Sequence, residues 1–247
     1  MKQIKILAIG NSFSQDATRY LAKIAQADHV PLKVVNLYIG GCSLEQHFRY
    51  FRAEAPKYSF EMNGESTGLS VTLQQGLSCD VWDFITIQQA SHFSPIPDTY
   101  EPYGTELAAG IRYFQPNAKL LVHQTWAYEQ GSDRLTNMMQ YDDQAQMFRD
   151  LERLYAKLAK DVHAAGILPS GQLFQRMLKD GFPRVHRDTF HADAGFGRYA
   201  LAALWYDLIT GHSIVGNTFR DLDVPSDGVD FDKIQSIVHT LADEYRF

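Results

Sequence analysis

Cysteine is scarce in this chain: only Cys42 and Cys79 occur in 247 residues. Two thiols cannot build the disulfide framework of a small secreted scaffold, and both are expected to be reduced. Long apolar runs are missing as well. None approaches the roughly 20 residues that a membrane span needs, so no membrane partner is expected. Met1-Lys2-Gln3 leads straight into an apolar run too short for the core of a signal peptide. As the sequence stands a cytoplasmic location is expected; a periplasmic or secreted one would require a leader removed from it. Positive charge is in deficit, with 23 Lys and Arg against 29 Asp and Glu and a net charge of -6, which argues against nucleic acid as a partner. Internal repeats, low-complexity tracts and linkers are absent, so residues 1–247 read as one domain. The phosphate-loop pattern Gly-x-x-x-x-Gly-Lys-[Ser/Thr] is not found after the first apolar run, and neither is a dinucleotide fingerprint. The Gly-x-Ser-x-Gly elbow of α/β-hydrolases is also lacking where a nucleophile would be sought. No cofactor is expected.

What is present is the composition of an ordinary globular chain, 45% hydrophobic and 21% charged, long enough to bury a full α/β core. Lys5 to Ile9 is a short apolar strand that breaks at Gly10 and delivers Ser12 to the start of a helix. Asp16 to Asp28 has helical spacing, with Asp16 as N-cap or first-turn acid. Leu32 to Ile39 is a second strand, which makes a βαβ unit and parallel pairing. Gly40-Gly41 follows it, either as a backbone donor beside the serine or only as a tight turn, the commoner use of such pairs. A helix is expected from Leu44 to Ala55, and an excursion with hairpin character over residues 56–80. The strand after Asp80 ends on Gln88-Gln89. Further helices are expected over Tyr103–Phe114, Tyr141–Ala165 and residues 171–179, the last capped by Ser170. Strands are expected over Lys119–His123 and Gly166–Pro169, with Glu129 to Met139 a polar loop between them. Helices over Ala194–Ile209 and Gly228–Tyr245 close the chain. Trp126, just past a strand, is read either as a pocket wall that meets substrate or as packing under a loop.

A serine hydroxyl needs a base, and that base is usually a histidine held in one tautomer by a carboxylate. Asp188-x-x-His191 supplies such a pair, because residues three apart share one side of a helical turn. The same region holds His186 and Asp193, so a metal-dependent hydrolase built on His186, Asp188, His191 and Asp193 is an alternative, although the spacing matches no strong metal motif. A ligand-binding protein without catalysis on a hydrolase fold is a third reading.

Gly10-Asn11-Ser12-Phe13-Ser14, Gly41 after the second strand, and Asp188-x-x-His191 together resemble the blocks of the SGNH (GDSL-like) hydrolase superfamily. Within it the stretches GNSFS, QQASH, HQTWAY and DTFH to WYDLITG resemble the DUF4886-type branch. The resemblance implies a three-layer α/β/α sandwich around a mostly parallel, five-stranded, flavodoxin-like sheet. It also implies a serine esterase acting on a small acyl ester, acetyl groups and carbohydrate esters being the substrates it suggests. Ser12 would be the nucleophile and a backbone donor to the oxyanion, Gly41 a second donor, His191 the base and Asp188 its orienting acid. The third block departs from the pattern, since glutamines stand where Gly-x-Asn-Asp is usual. Gln88 or Gln89 would then supply the amide donor. Asn11 replaces the usual aspartate and is expected to hold the turn.

Overall fold

The computed structural model describes residues 2–247. The sheet has seven strands in the order β4-β3-β2-β1-β5-β6-β7. β1 (Ile4–Gly10) lies at its centre and pairs in parallel with β2 (Leu32–Tyr38) on one side and β5 (Phe84–Ile87) on the other. Beyond β5, β6 (Lys119–Gln124) and β7 (Gly166–Pro169) continue the parallel array. The central strands read as continuous apolar runs because both faces are covered: Ile6 to Ile9 are wholly buried.

Seven strands, not five, make up the sheet. The extra pair is the hairpin of β3 (Tyr58–Met62) and β4 (Glu65–Val71), which adds antiparallel strands to the free edge of β2. Its sequence alternates only weakly because β4 is almost entirely exposed. An edge strand has no second apolar face to advertise itself.

Helices cover both faces. α1 (Ser12–Thr18), α2 (Leu21–Ala27), α7 (Ser170–Lys179), α8 (Phe196–Thr210) and α9 (Phe231–Glu244) form one layer. α3 (Leu44–Arg52), α4 (Leu73–Ser78), α5 (Tyr103–Phe114) and α6 (Gln144–Asp161) form the other. α8 is packed among α1, α2, α7 and α9, and every residue from Tyr199 to Ile209 is buried. A helix apolar all round belongs inside such a layer. No helix among the described residues is long and apolar enough to cross a membrane.

Several boundaries differ from the sequence reading for local reasons. The first helix starts at Ser12 itself, capped by Asn11, whose side chain accepts from Phe13 N. Asp16 is therefore not its cap. The segment then breaks, because the Thr18 hydroxyl donates to Ser14 O and Tyr20 turns to ψ 0° before α2 begins. α6 starts at Gln144, where the Asp143 side chain caps Ala145 N. Ser170 is the first residue of α7, not its cap, and its hydroxyl meets His123 instead. The loop before α6 contains one π-helical turn, Arg134–Met138.

Strand order reverses on either side of β1. In open α/β sheets that point leaves a crevice at the strands' carboxyl ends. Gly10, Tyr38 and Ile87 end the three strands there, so Ser12, Gly40-Gly41 and Gln88-Gln89 gather at one edge.

Candidate active site

Ser12 is presented by the turn from β1 into α1. Gly10 must be glycine there: a Cβ would lie 2.5 Å from Ser14 Oγ and 2.9 Å from Gln88 Oε1. Asn11 then holds the turn with both ends of its amide. Its Oδ1 accepts from Phe13 N at 3.1 Å and its Nδ2 donates to Cys42 O at 3.1 Å. The second bond ties the Ser12 turn to the loop after β2.

His191 and Asp188 come from the loop preceding α8. The Ser12 hydroxyl lies 2.8 Å from His191 Nε2, and His191 Nδ1 lies 2.8 Å from Asp188 Oδ2. Asp188 Oδ1 also accepts from the His191 backbone N–H at 2.9 Å. An ionised carboxylate only accepts, so Nδ1 carries the proton and the Nε2 lone pair faces Ser12. Burial works against the Asp188 charge, but the His191 bonds and nearby Arg187 win and hold its carboxyl below the usual range.

A buried carboxylate anchors this loop to the serine helix. Asp16, wholly buried on α1, accepts from Arg187 Nη1 at 2.9 Å, Arg198 Nε at 2.8 Å and Ala192 N at 3.1 Å. Arg187 and Ala192 bracket the Asp188–His191 pair. The one available signal was an acid on the same helical face as Tyr20, four residues away, in a stripe otherwise apolar.

These residues open into a cleft of about 370 Å³, lined by Ser12 and His191 together with Tyr38, Gly41, Tyr128 and Arg134, among others. Gly41 has φ +64° and nothing within 4 Å of where a Cβ would be, so its backbone is open to a ligand. Ser12 is the first residue of α1, so its N–H has no acceptor within the helix. Burial and the charge of Arg134 both keep the His92 imidazole, at the rim, below its ordinary pKa.

Neither glutamine of the third block lines this cleft. Gln89 is turned away: Nε2 donates to Thr99 O at 2.8 Å, and Oε1 accepts from Leu44 N and Ala90 N. Gln89 therefore holds its loop and is not an oxyanion donor. Gln88 is almost fully buried, and its Nε2 donates to Asn11 Oδ1 at 2.8 Å. It acts one residue removed from Ser12, through the cap, rather than as an oxyanion donor. Its Oε1 lies 2.7 Å from His123 Nδ1, and His123 Nε2 lies 3.0 Å from Ser170 Oγ. Burial pushes His123 down to about 3, so the ring is neutral. Phe13 N–H fixes which end of Asn11 accepts, so each following partner is determined in turn. Gln88 donates to Asn11, His123 donates from Nδ1 to Gln88, and Ser170 donates to His123 Nε2.

Trp126 is not a wall of the cleft and does not meet substrate there. It is fully buried, stacks beneath Phe13 at 4.2 Å between ring centroids, and donates from Nε1 to Phe190 O at 2.7 Å. It supports the floor of the cleft and the His191 loop without reaching the cleft itself.

The four side chains of the metal alternative diverge. His186 is buried and donates to Ala127 O at 3.0 Å, and Asp188 serves His191. His191 faces Ser12, while Asp193 caps α8 through Gly195 N and Gly197 N. Among the described residues no group of three or more His, Cys, Asp or Glu side chains is placed to hold a metal ion. A larger cavity, about 690 Å³, lies behind the same loop beside Phe182, Asp193 and Lys233. The smaller cleft is the candidate site because it holds Ser12 and His191.

Arg134, Arg187, Tyr38, Gln15 and Ser91 also line the cleft. Ser91 lies in the QQASH stretch but was given no role from sequence; the other four carry no motif of their own, and only the fold brings them to the cleft.

The strand order and the two helix layers are the fold of the SGNH (GDSL-like) hydrolase structures to which the chain is similar. The chain aligns with an SGNH-hydrolase-like protein from Slackia heliotrinireducens at 22% identity and TM-score 0.61, over 85% of this chain and 100% of that one. It aligns with a lipase/acylhydrolase from Enterococcus faecalis at 14% identity and TM-score 0.52, over 84% and 96%. Within that fold the chain belongs to the DUF4886 family, described as a domain of unknown function, whose model matches residues 5–237. A DUF4886 family protein from Bacteroides uniformis is similar over 97% of this chain and 94% of its own, at 33% identity and TM-score 0.86. No curated protein sequence matches the chain.

Proposed function

We propose that the protein is a serine hydrolase that cleaves a small acyl ester through an acyl-enzyme, with acetyl esters of carbohydrates inside that class. The observation that carries this reading is the unbroken line from Ser12 Oγ through His191 to Asp188, 2.8 Å at each step, at the wall of a small cleft.

Ser12 Oγ attacks the ester carbonyl carbon while His191 Nε2 takes its proton. The carbonyl oxygen becomes an oxyanion facing the N–H groups of Ser12 and Gly41, a preorganised pair of backbone donors. Asp188 keeps the proton on Nδ1 and stabilises the imidazolium. The intermediate collapses, the C–O bond to the alcohol breaks, and the alcohol leaves with the proton from Nε2. Water then gives a proton to Nε2 and attacks the acyl group. The acid departs, and the proton returns to Ser12 Oγ. A cleft of about 370 Å³ suits a short acyl group better than a long lipid chain.

The test is hydrolysis of an aryl acetate, together with labelling by a fluorophosphonate. Wild type should turn over the ester and be labelled at Ser12. Ser12→Ala should not be labelled, and both Ser12→Ala and His191→Ala should lose at least about 10³-fold in kcat/KM. Robust turnover by Ser12→Ala, or a folded wild type that is neither labelled nor active, would overturn the proposal.

A further inference from the structure

We infer that the ester carries an anionic group, which Arg134 receives across the cleft from Ser12; this rests on the hydrolase reading and names its substrate class. Arg134 opens the π-helical turn Arg134–Met138 and lines the same small cleft as Ser12 and His191. Its guanidinium lies 3.9 Å from the centroid of Phe190, which also packs against the His191 imidazole at 3.7 Å. The stack fixes the plane of the guanidinium without using its N–H donors.

Those donors have no acid to meet. Among the described residues no carboxylate lies within salt-bridge distance of Arg134, and the side chain makes no hydrogen bond. The acids around the cleft are engaged elsewhere. Asp16 is bound by Arg187 and Arg198, and Asp188 by His191. Glu129 is paired with Arg184, and Glu61 accepts from Asn36 and Gln15. Arg187, the other arginine at the cleft, is already spent on Asp16 and Ala192 O. In a chain of net charge -6, a half-buried arginine that lines the same cleft as Ser12 and has no partner is an uncompensated cation. A planar fork of donors held in place by stacking matches a carboxylate in two-point contact. Two hydroxyls of the remaining lining, Ser91 Oγ and Tyr128 OH, satisfy each other at 2.9 Å, whereas the Arg134 fork has no partner.

The test compares isosteric esters. 4-Nitrophenyl hemisuccinate against 4-nitrophenyl butyrate places the charge in the acyl group. 4-Acetoxybenzoate against phenyl acetate places it in the alcohol. Wild type should prefer the anionic member of one pair, and that pair identifies where the charge lies. Arg134→Gln should lower the anionic-to-neutral ratio of kcat/KM by about 10- to 100-fold, the worth of a hydrogen-bonded charge, and Arg134→Lys should restore part of it. Equal losses on both members, or no anionic preference in wild type, would overturn the inference while leaving the hydrolase reading intact. Calorimetry on Ser12→Ala with monomethyl succinate and methyl butyrate reads binding without turnover. Tighter binding of the anion, lost on adding Arg134→Gln, supports the anion site even if wild type hydrolyses none of the esters. Equal binding of the two probes counts against it.

Discussion

Replacing Asp16 by asparagine keeps the side chain's shape and removes its charge. In the native structure the two carboxylate oxygens accept from two guanidinium groups and one backbone N–H, at 2.8–3.1 Å and with no solvent exposure. An amide offers one accepting oxygen and turns two N–H groups toward donors. Two arginines then face a neutral, mismatched partner, one of them half relieved by Asp223. Breaking a buried pair from one side costs about 3–5 kcal/mol. For a chain of this length each kcal/mol moves Tm by roughly 2–4 °C, so Asp16→Asn should unfold roughly 6–20 °C below wild type in a calorimetric scan. The activity loss should exceed what unfolding explains. Arg187 and Ala192 flank Asp188 and His191, and in the proposed mechanism misplacing that pair by about 1 Å can cost on the order of 10²-fold. Assayed well below its own Tm, the variant should therefore lose kcat more than KM. A Tm within about 2 °C of wild type together with normal kcat would refute the view that Asp16 anchors the loop.

Two buried histidines make stability fall on acidification. His47 and His123 are each pushed down to about 3 by burial, whereas the unfolded chain binds their protons near 6.5. The neutral rings contribute fully above that value, and each loses about 1.4 kcal/mol per pH unit between about 6 and 3. Urea unfolding from pH 7 to pH 4 should show this slope, and His47→Leu should remove about half of it; a flat profile in wild type would count against both assignments. Gly10→Ala forces a methyl against Ser14 Oγ and Gln88 Oε1, and should cost about 1–3 kcal/mol and lower fluorophosphonate labelling of Ser12, while unaltered stability and labelling would show that the turn has slack.

Much of the site was legible because its parts are local. Ser12 follows a short apolar strand and a glycine, and Asp188 and His191 sit three apart, so each half announces itself before the fold joins them. The parallel strands were legible as unbroken apolar runs. The third block was not. Gln88 and Gln89 look like donors at a strand end, yet Gln89 turns to Thr99 and Gln88 to Asn11, and those partners are 10 and 77 residues away. Trp126 carried two readings, and only its stacking on Phe13 separates floor from wall. Asp16 and Arg134 are single charges whose meaning depends on what the fold places opposite them: two arginines for one, no acid for the other. The edge hairpin was faint because β4 buries almost nothing.

The chain of bonds from Asn11 through Gln88 and His123 to Ser170 has a direction. Ser170, His123 and Gln88 each donate to the next member toward the serine turn, and Asn11 Oδ1 accepts from both Gln88 and Phe13 N, so no link can be reversed without stranding a proton or a lone pair in the core. It stitches the ends of β1, β5 and β6 to α7 independently of the strand ladder. The four side chains therefore form one hydrogen-bonded unit. A change at Ser170, far along the chain, alters what His123 can offer, then what Gln88 can offer, and so the cap beneath Ser12. A single substitution in this chain of bonds therefore leaves its neighbour without a partner in the core, whereas paired changes can keep the donors and acceptors matched.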